Sequence, residues 1–408
     1  MKNVRNMRSA HNIEDLRQLA QRYLPRVAYD YLERGAEDDA TMDENRAALA
    51  RVRLRPRVLV DVSRRSQRVT VFGKEYSAPL GVAPTGVAGL YCHDADVALA
   101  RAAAAAKVPF VLSTASFVPL ERVAEAAGGT QWFQLYMSKD HEAAERLVLR
   151  ARDAGFEALV MTSDVPVIGN REFNLRNGWA IPFRLNAANI VDGLRHPRWL
   201  ATVFLRTVMT SGVPRFQNVD VNVGGRIVSA NLASFRARRD AVDWSDVQWL
   251  RKLWPRKLFV KGILTAEDAQ RAAACGADGV FVSNHGGRQL DSAISPLEEL
   301  PRIADAVRGR LAIMVDSGFR RGSDIVKALA LGADMVFVGR APLYGATVAG
   351  EEGALHALDI LKKEIDRVMA LIGCNAIADL GPQYLELPGD AAACGQHMAS
   401  IRTALEAS

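Results

Sequence analysis

Short apolar runs return along the chain, each followed by a stretch whose apolar residues recur at helical spacing. The runs are Pro79 to Ala83, Val108 to Leu112, Trp132 to Leu135, Ala158 to Met161, Leu258 to Val260, Gly279 to Val282, Leu311 to Val315 and Met335 to Val338. They are short and rich in β-branched and aromatic residues, so they predict eight buried strands. Between them Asp94 to Ala106 reads as a helix from its alanine and leucine content, Gln21 to Glu33 as a tyrosine-rich helix, and Thr265 as a helix cap. Strand and helix alternate throughout, which predicts an α/β chain folded as a (β/α)8 TIM barrel, with a doubly wound sheet as the competing arrangement. One interval breaks the rhythm. Roughly ninety residues separate the fourth and fifth runs, and a connection of that length is generally functional or disordered.

The ends of the runs favour the barrel. They finish at Thr85-Gly86, Ser113-Thr114, Gln134 and Tyr136, Thr162 and Asp164, Lys261, Ser283 and His285, Asp316-Ser317-Gly318, and Gly339-Arg340. Barrel enzymes gather their chemistry on that face. At 408 residues and 49% hydrophobic the chain has ample material for one large core. It reads as a single domain over 1–408, with an N-terminal helical cap at 1–75 and an insertion at 177–245.

No run of eighteen apolar residues appears and Met1 to Arg5 is polar, so neither a spanning helix nor a secretory signal is expected, and the active part should be cytosolic. Cys92, Cys275, Cys374 and Cys394 are too scattered for a zinc site or a disulfide framework, and no metal is expected. A net charge of +6 suits an anionic partner. Nucleic acid is the weakest choice, because the basic residues lack interleaved aromatic runs and no nucleic-acid signature is present. A phosphorylated cofactor with an anionic substrate, or an anionic membrane surface, fits better.

The most informative segment is Ser283-Asn284-His285-Gly286-Gly287-Arg288-Gln289-Leu290-Asp291. It follows a buried strand, turns sharply at its paired glycines, and puts a proton acceptor beside a guanidinium able to grip a carboxylate. Those are the parts needed to oxidise a 2-hydroxy acid. Glycine and arginine also follow the seventh and eighth runs, at Gly318, Arg320, Gly339 and Arg340, where barrels commonly bind phosphate. No early G-x-G-x-x-G follows a strand, which disfavours a nicotinamide dinucleotide.

Together with Leu24-Pro25, Tyr29-Asp30-Tyr31, Gly35-Ala36, Pro56-Arg57, Ala83-Pro84-Thr85-Gly86, Phe133-Gln134-Leu135-Tyr136 and Val260-Lys261-Gly262, the nonapeptide resembles the FMN-dependent 2-hydroxy acid oxidising family. The resemblance runs from about Asn12 to Leu380 and is strongest to the membrane-associated branch that oxidises (S)-mandelate. It implies that His285 is the base and Asp164 its partner, that Arg171 and Arg288 clamp the substrate carboxylate, and that Tyr31 and Tyr136 hydrogen-bond the substrate. A base at His285 serves whether the carbon-bound hydrogen leaves as a proton or as a hydride.

The resemblance further implies FMN held by Ala83, Pro84, Thr85 and Gly86, by Ser113, Gln134, Thr162 and Ser283, and by Lys261 near its pyrimidine edge. Asp316 would take the ribitol, and Gly318, Arg320, Gly339 and Arg340 the phosphate. Ala115 stands where glycolate-type relatives carry a bulky aromatic, and with Gly86 it leaves room for a phenyl substituent. L-lactate dehydrogenase, an oxygen-using oxidase and a non-redox FMN barrel isomerase are the alternatives; Arg171 and Arg288 beside His285 argue against the isomerase.

Within the insertion, 181–216 mixes Ile190, Val191, Leu194, Trp199, Leu200, Val203, Phe204, Leu205, Val208 and Met209 with five arginines and one acid. That is the composition of a helix lying in a membrane interface, and the same stripe could pack on a neighbouring subunit. Relatives imply a quinone acceptor, a peripheral position on the inner face of the cell membrane, and a tetramer. Val219 to Ala230 is a candidate lid.

Overall fold

The computed structural model describes residues 7–184, 186–219, 225–229 and 238–387. All eight apolar runs become parallel strands: β1 (Leu80–Val82), β2 (Phe110–Ser113), β3 (Gln131–Tyr136), β4 (Ala158–Thr162), β5 (Lys257–Ile263), β6 (Gly279–Val282), β7 (Ala312–Val315) and β8 (Met335–Val338). Each pairs with the next, and β8 closes on β1. The chain is therefore a (β/α)8 barrel.

Burial on both sides explains why the strands read as continuous apolar runs rather than as alternating patterns. Leu112, Leu159, Leu258 and Val280 face the surrounding helices. Val111, Trp132, Val160, Phe259, Phe281 and Phe337 fill the barrel interior. There Trp132 stacks on Phe259 with ring centroids 4.9 Å apart, and Phe281 leans on Phe337 at 4.8 Å. Burying each such ring contributes roughly 2 kcal/mol or more. The rings also dictate a glycine on β1: a Cβ at Gly81 would fall 2.4 Å from a ring carbon of Phe337.

Three N-terminal helices lie against the barrel: α1 (Ile13–Tyr23), capped by the Asn12 side chain, α2 (Arg26–Glu33) and α3 (Ala40–Arg51). The single helix expected over Gln21 to Glu33 is broken. Leu24 is extended (φ −88°, ψ 142°) and Pro25 starts α2, because proline disfavours helical backbone at the residue before it and supplies no amide hydrogen. Nor is 1–75 wholly helical. Val69–Val71 and Lys74–Tyr76 form an antiparallel hairpin whose Val71 and Tyr76 join the interior cluster, with Phe72 set edge-on to Phe259 at 5.7 Å. It closes the end of the barrel opposite the polar strand ends.

In the insertion, Ala187–Arg195 is followed by a nearly continuous helix, Pro197–Trp199, Leu200–Leu205 and Arg206–Ser211, with a π turn in the middle. The expected apolar stripe divides. The Trp199 indole donates to the Leu90 carbonyl at 2.8 Å and Val203 is buried, whereas Ile190, Val191, Leu194, Phe204, Leu205 and Met209 stay exposed. No described helix is long and apolar enough to cross a membrane. Of the candidate lid, 220–224 and 230 lie outside the described residues; Val219 and Ile227 are buried.

Candidate active site

The turn after β6 presents His285 with φ +58°, followed by Gly286 at +67° and Gly287 at +75°. Left-handed backbone at histidine is uncommon, and its cost is tolerated mostly where a side chain must be aimed. His285 Nδ1 lies 2.9 Å from Asp164 Oδ1, joining residues from the ends of β6 and β4. Burial alone would raise the Asp164 carboxyl, but the charge and hydrogen bond of His285, with Lys261 nearby, hold it below the ordinary carboxylate range. An ionised carboxylate can only accept, so Nδ1 carries the hydrogen and Nε2 is the nitrogen left for the cleft that His285 lines. Between them passes a bulge in β5: a Cβ at Gly262 (φ +107°) would meet Asp164 at 2.6 Å, so only glycine lets Asp164 occupy this place.

The cleft opens at the carboxyl ends of the strands, with roughly 1070 Å³ of space counting its solvent-filled mouth. Arg171 and Arg288 both line it. Arg171 donates to the Arg288 carbonyl and to Gln289 Oε1, each at 3.1 Å. Arg288 donates to the carbonyls of Tyr31 and Arg34 at 2.8 and 2.9 Å, and its guanidinium sits 5.0 Å over the Tyr31 ring. Burial, reinforced by Arg288, pushes the Arg171 guanidinium down to about 10. Tyr31 reaches the cleft from α2 and Tyr136 from the end of β3; burial pushes the Tyr136 phenol up to about 12, with Asp164 adding to it.

Most of the remaining predicted residues line the same cleft. Ala83, Pro84, Thr85, Gly86, Ala115, Gln134, Thr162, Lys261, Asp316, Gly318, Arg320, Gly339 and Arg340 all line the cleft. Ser113, Ser283 and Asp164 stand behind it. Ser113 donates to Gln134 Oε1 at 3.1 Å, which orients the Gln134 amide to donate to Thr162 Oγ1 at 2.9 Å. Ser283 accepts from Lys261 Nζ at 2.5 Å, and Lys261 is paired with Asp316 at 2.7 Å. Arg340 donates to the carbonyls of Leu32 and Gly286 at 3.0 Å each, and burial, then its neighbours Arg288 and Arg320, push it down to about 10.

The chain as a whole resembles known proteins. A model of the FMN-dependent dehydrogenase family matches residues 20–387. The chain belongs to that family. It is 48% identical over 379 residues to (S)-mandelate dehydrogenase of Pseudomonas putida, covering 93% of this chain and 94% of that one. It is 40% identical to L-lactate oxidase of a Nostoc species, covering 92% and 98%. A crystal structure described as the monotopic membrane protein (S)-mandelate dehydrogenase superposes with a TM-score of 0.88 at 48% identity, covering 93% of this chain and all of that one.

FMN is thus the cofactor, and the cleft suits it. Thr85 Oγ1 is buried without a hydrogen-bond partner on the cleft wall, the Gln134 and Thr162 pair offers amide and hydroxyl edges, and Arg320 and Arg340 suit a phosphate dianion.

Sequence reasoning missed several groups. Tyr91 and Phe319 line the cleft from loops without periodic signal. Tyr344 joins Arg320 at 3.1 Å and donates to Glu33, so the last turn of α2 also braces Arg320. Arg239, from the far end of the insertion, lies over Tyr136.

Proposed function

We propose that this enzyme oxidises an (S)-2-hydroxy acid with a large substituent, mandelate or a close analogue, to the 2-oxo acid and passes the electrons to a membrane quinone. The observation that carries the reading is the His285 and Asp164 pair at 2.9 Å in a cleft that Arg171 and Arg288 also line. The two guanidiniums bind the substrate carboxylate and fix C2, with its hydroxyl turned to His285. His285 Nε2 takes one proton, from the hydroxyl if C2 gives up its hydrogen as a hydride or from C2 if that hydrogen leaves as a proton, and Asp164 stabilises the imidazolium without accepting that proton. Tyr31 and Tyr136 hydrogen-bond the carboxylate or the carbinol oxygen. FMN, when bound, supplies the two-electron acceptor. Lys261 favours negative charge on that acceptor, and Asp316 and Ser283 hold its ammonium in place.

Ala115 on the cleft wall supports a large substituent: a Cβ at Gly86 would come 2.9 Å from its methyl, so both positions contribute the space. The exposed Ile190, Val191, Leu194, Phe204, Leu205 and Met209, with Arg184, Arg195, Arg198, Arg206 and Arg215 on the same segment, support docking in a bilayer interface. The related monotopic structure supports the same reading. The test is anaerobic flavin absorbance before and after (S)-mandelate or L-lactate, followed by reoxidation with a short-chain quinone or with oxygen. Bleaching by mandelate and reoxidation by quinone is the expected pair. Bleaching by lactate alone, or fast reoxidation by oxygen, assigns the lactate or oxidase alternatives, and no bleaching by any 2-hydroxy acid sinks the redox reading.

A further inference from the structure

Behind Tyr136 lies a second cavity of roughly 860 Å³, between the ends of β3 to β5 and the loop that enters the helix Trp244–Leu253. Tyr136 and Thr162 belong to both cavities. Its inner cation is Arg239, the first residue of a single 3-10 turn, Arg239–Ala241, set by left-handed backbone at Arg238 (φ +58°). Arg239 is only 8% exposed, an unusual state for a guanidinium. Its central carbon sits 4.7 Å from the centroid of the Tyr136 ring, closer than Arg288 sits to the Tyr31 ring at 5.0 Å.

A cation over the face of a phenol does two things. It attracts the ring's quadrupole, which restrains the ring about its χ2 axis. It also withdraws electron density from the hydroxyl, making it a better donor to a negative or partly negative oxygen. The charged and titratable groups acting on that hydroxyl are Asp164, Arg239, Arg171 and Tyr31, from four different parts of the fold. Burial and Asp164 hold the phenol in its neutral form, while Arg239 and Arg171 oppose them. Arg171 faces the substrate cleft; Arg239 reaches Tyr136 from the other side.

We propose that Arg239 is a positioning residue for the oxidation: stacked on Tyr136 from the second cavity, it holds the ring in place and sharpens its hydroxyl as a donor to the bound acid. This rests on the reading of Tyr136 as a substrate contact. Neither the motifs nor the strand-end pattern marks Arg239, because its partner lies 103 residues away.

The experiment is a double-mutant cycle on the FMN-loaded full chain, with Arg239→Met, Arg239→Lys, Tyr136→Phe and the Arg239→Met/Tyr136→Phe pair. It reads kcat and KM for the 2-hydroxy acid, and the dissociation constant of the 2-oxo acid from flavin absorbance. Arg239→Met should lower kcat/KM about tenfold, the size of a desolvated cation–π contact. Arg239→Lys, which keeps the cation, should recover all but about threefold. In the Tyr136→Phe background Arg239→Met should change kcat/KM less than about twofold, since the hydroxyl it serves is gone. The proposal is overturned if Arg239→Met stays within twofold of wild type, or if it costs the same factor with and without the Tyr136 hydroxyl, which would make Arg239 a brace for its own loop. Should Arg239→Met not fold, Arg239→Gln takes its place in the cycle. Wild-type protein whose flavin no 2-hydroxy acid reduces overturns the parent reading and this one with it; active wild type indifferent to Arg239 overturns only this one.

Discussion

Replacing Asp164 by asparagine isolates the electrostatic half of the His285 pair. In wild type the imidazolium formed on proton transfer lies against a carboxylate at 2.9 Å, with charge centres about 4 Å apart. At an effective dielectric of about 20 that attraction is about 4 kcal/mol. Asparagine retains a neutral acceptor worth about 1 kcal/mol, which leaves about 3 kcal/mol lost only when the imidazole charges. The limiting rate of flavin reduction should therefore fall between about 10²- and 10³-fold. Substrate affinity should move less than about threefold, because Arg171 and Arg288, which grip the carboxylate in the proposed reading, are untouched. Anaerobic stopped-flow reduction across a substrate series separates the two quantities, with flavin content and thermal midpoint checking that the fold is retained. A limiting rate within about fivefold of wild type would refute the role of Asp164, and an equal loss in affinity would show that the pair builds the pocket rather than serving the proton.

Other outcomes follow from the same structure. Asp96 is fully buried, accepts from Ser116 at 2.7 Å, and is pushed up by burial to about 7 from 3.8. Between about pH 4 and 7 the folded chain keeps a proton that the unfolded chain has released, so this group makes stability fall as pH rises through that window. Asp96→Asn should remove the decline, and urea titrations at pH 5 and pH 8 that show the same wild-type-to-variant gap would refute it. Ala115→Phe overfills the cleft beside Gly86 and should cut kcat/KM for mandelate about 10- to 100-fold, the rate equivalent of about 1–3 kcal/mol of overpacking. L-lactate, lacking the ring, should change less than about threefold; equal losses would move the substituent elsewhere. Leu194→Glu with Met209→Glu places charge on two exposed apolar positions, 63% and 84% accessible. The pair should abolish co-sedimentation with lipid vesicles while flavin reduction stays intact, and undiminished binding would refute the docking face.

The strands were legible because burial on both faces leaves an unbroken apolar run, as in Gly279 to Val282, ending where the polar catalytic face begins. His285 and Arg288 were legible for the same reason, being nine or fewer residues past a strand. Asp164 was not readable as the partner of His285 from spacing: 121 residues separate them, and only the resemblance joined them. Local signals also failed where tertiary packing decides. The hairpin at Val69 to Tyr76 looked like part of a helical cap, though its side chains plug an aromatic core assembled from distant strands. Trp199 and Val203 looked like members of an outward stripe, yet Trp199 donates to the Leu90 carbonyl and Val203 is buried.

The charge balance of the cleft ties these parts together. Among the described residues, Arg171, Lys261, Arg288, Arg320 and Arg340 line it against one lining carboxylate, Asp316. Asp316 is committed to Lys261, and Arg288 and Arg340 spend their donors on carbonyls at the C-terminal end of α2: Tyr31, Leu32 and Arg34. Those carbonyls are the negative end of a helix, so they hold two guanidiniums in place without neutralising them. Burial and mutual repulsion pushing Arg171 and Arg340 down to about 10 are the signs of that excess. In the proposed reading a phosphate at one end and a carboxylate at the other would supply the missing negative charge at fixed positions, so the cationic groups would need little rearrangement when the anions arrive. Helix α2 is then more than a cover: its backbone anchors Arg288 and Arg340, its Tyr31 lines the cleft, and its Glu33 reaches Tyr344 behind Arg320. The break at Leu24-Pro25, which looks like a defect in a predicted helix, separates α1 from this eight-residue helix, whose C-terminal end joins the two ends of the cleft.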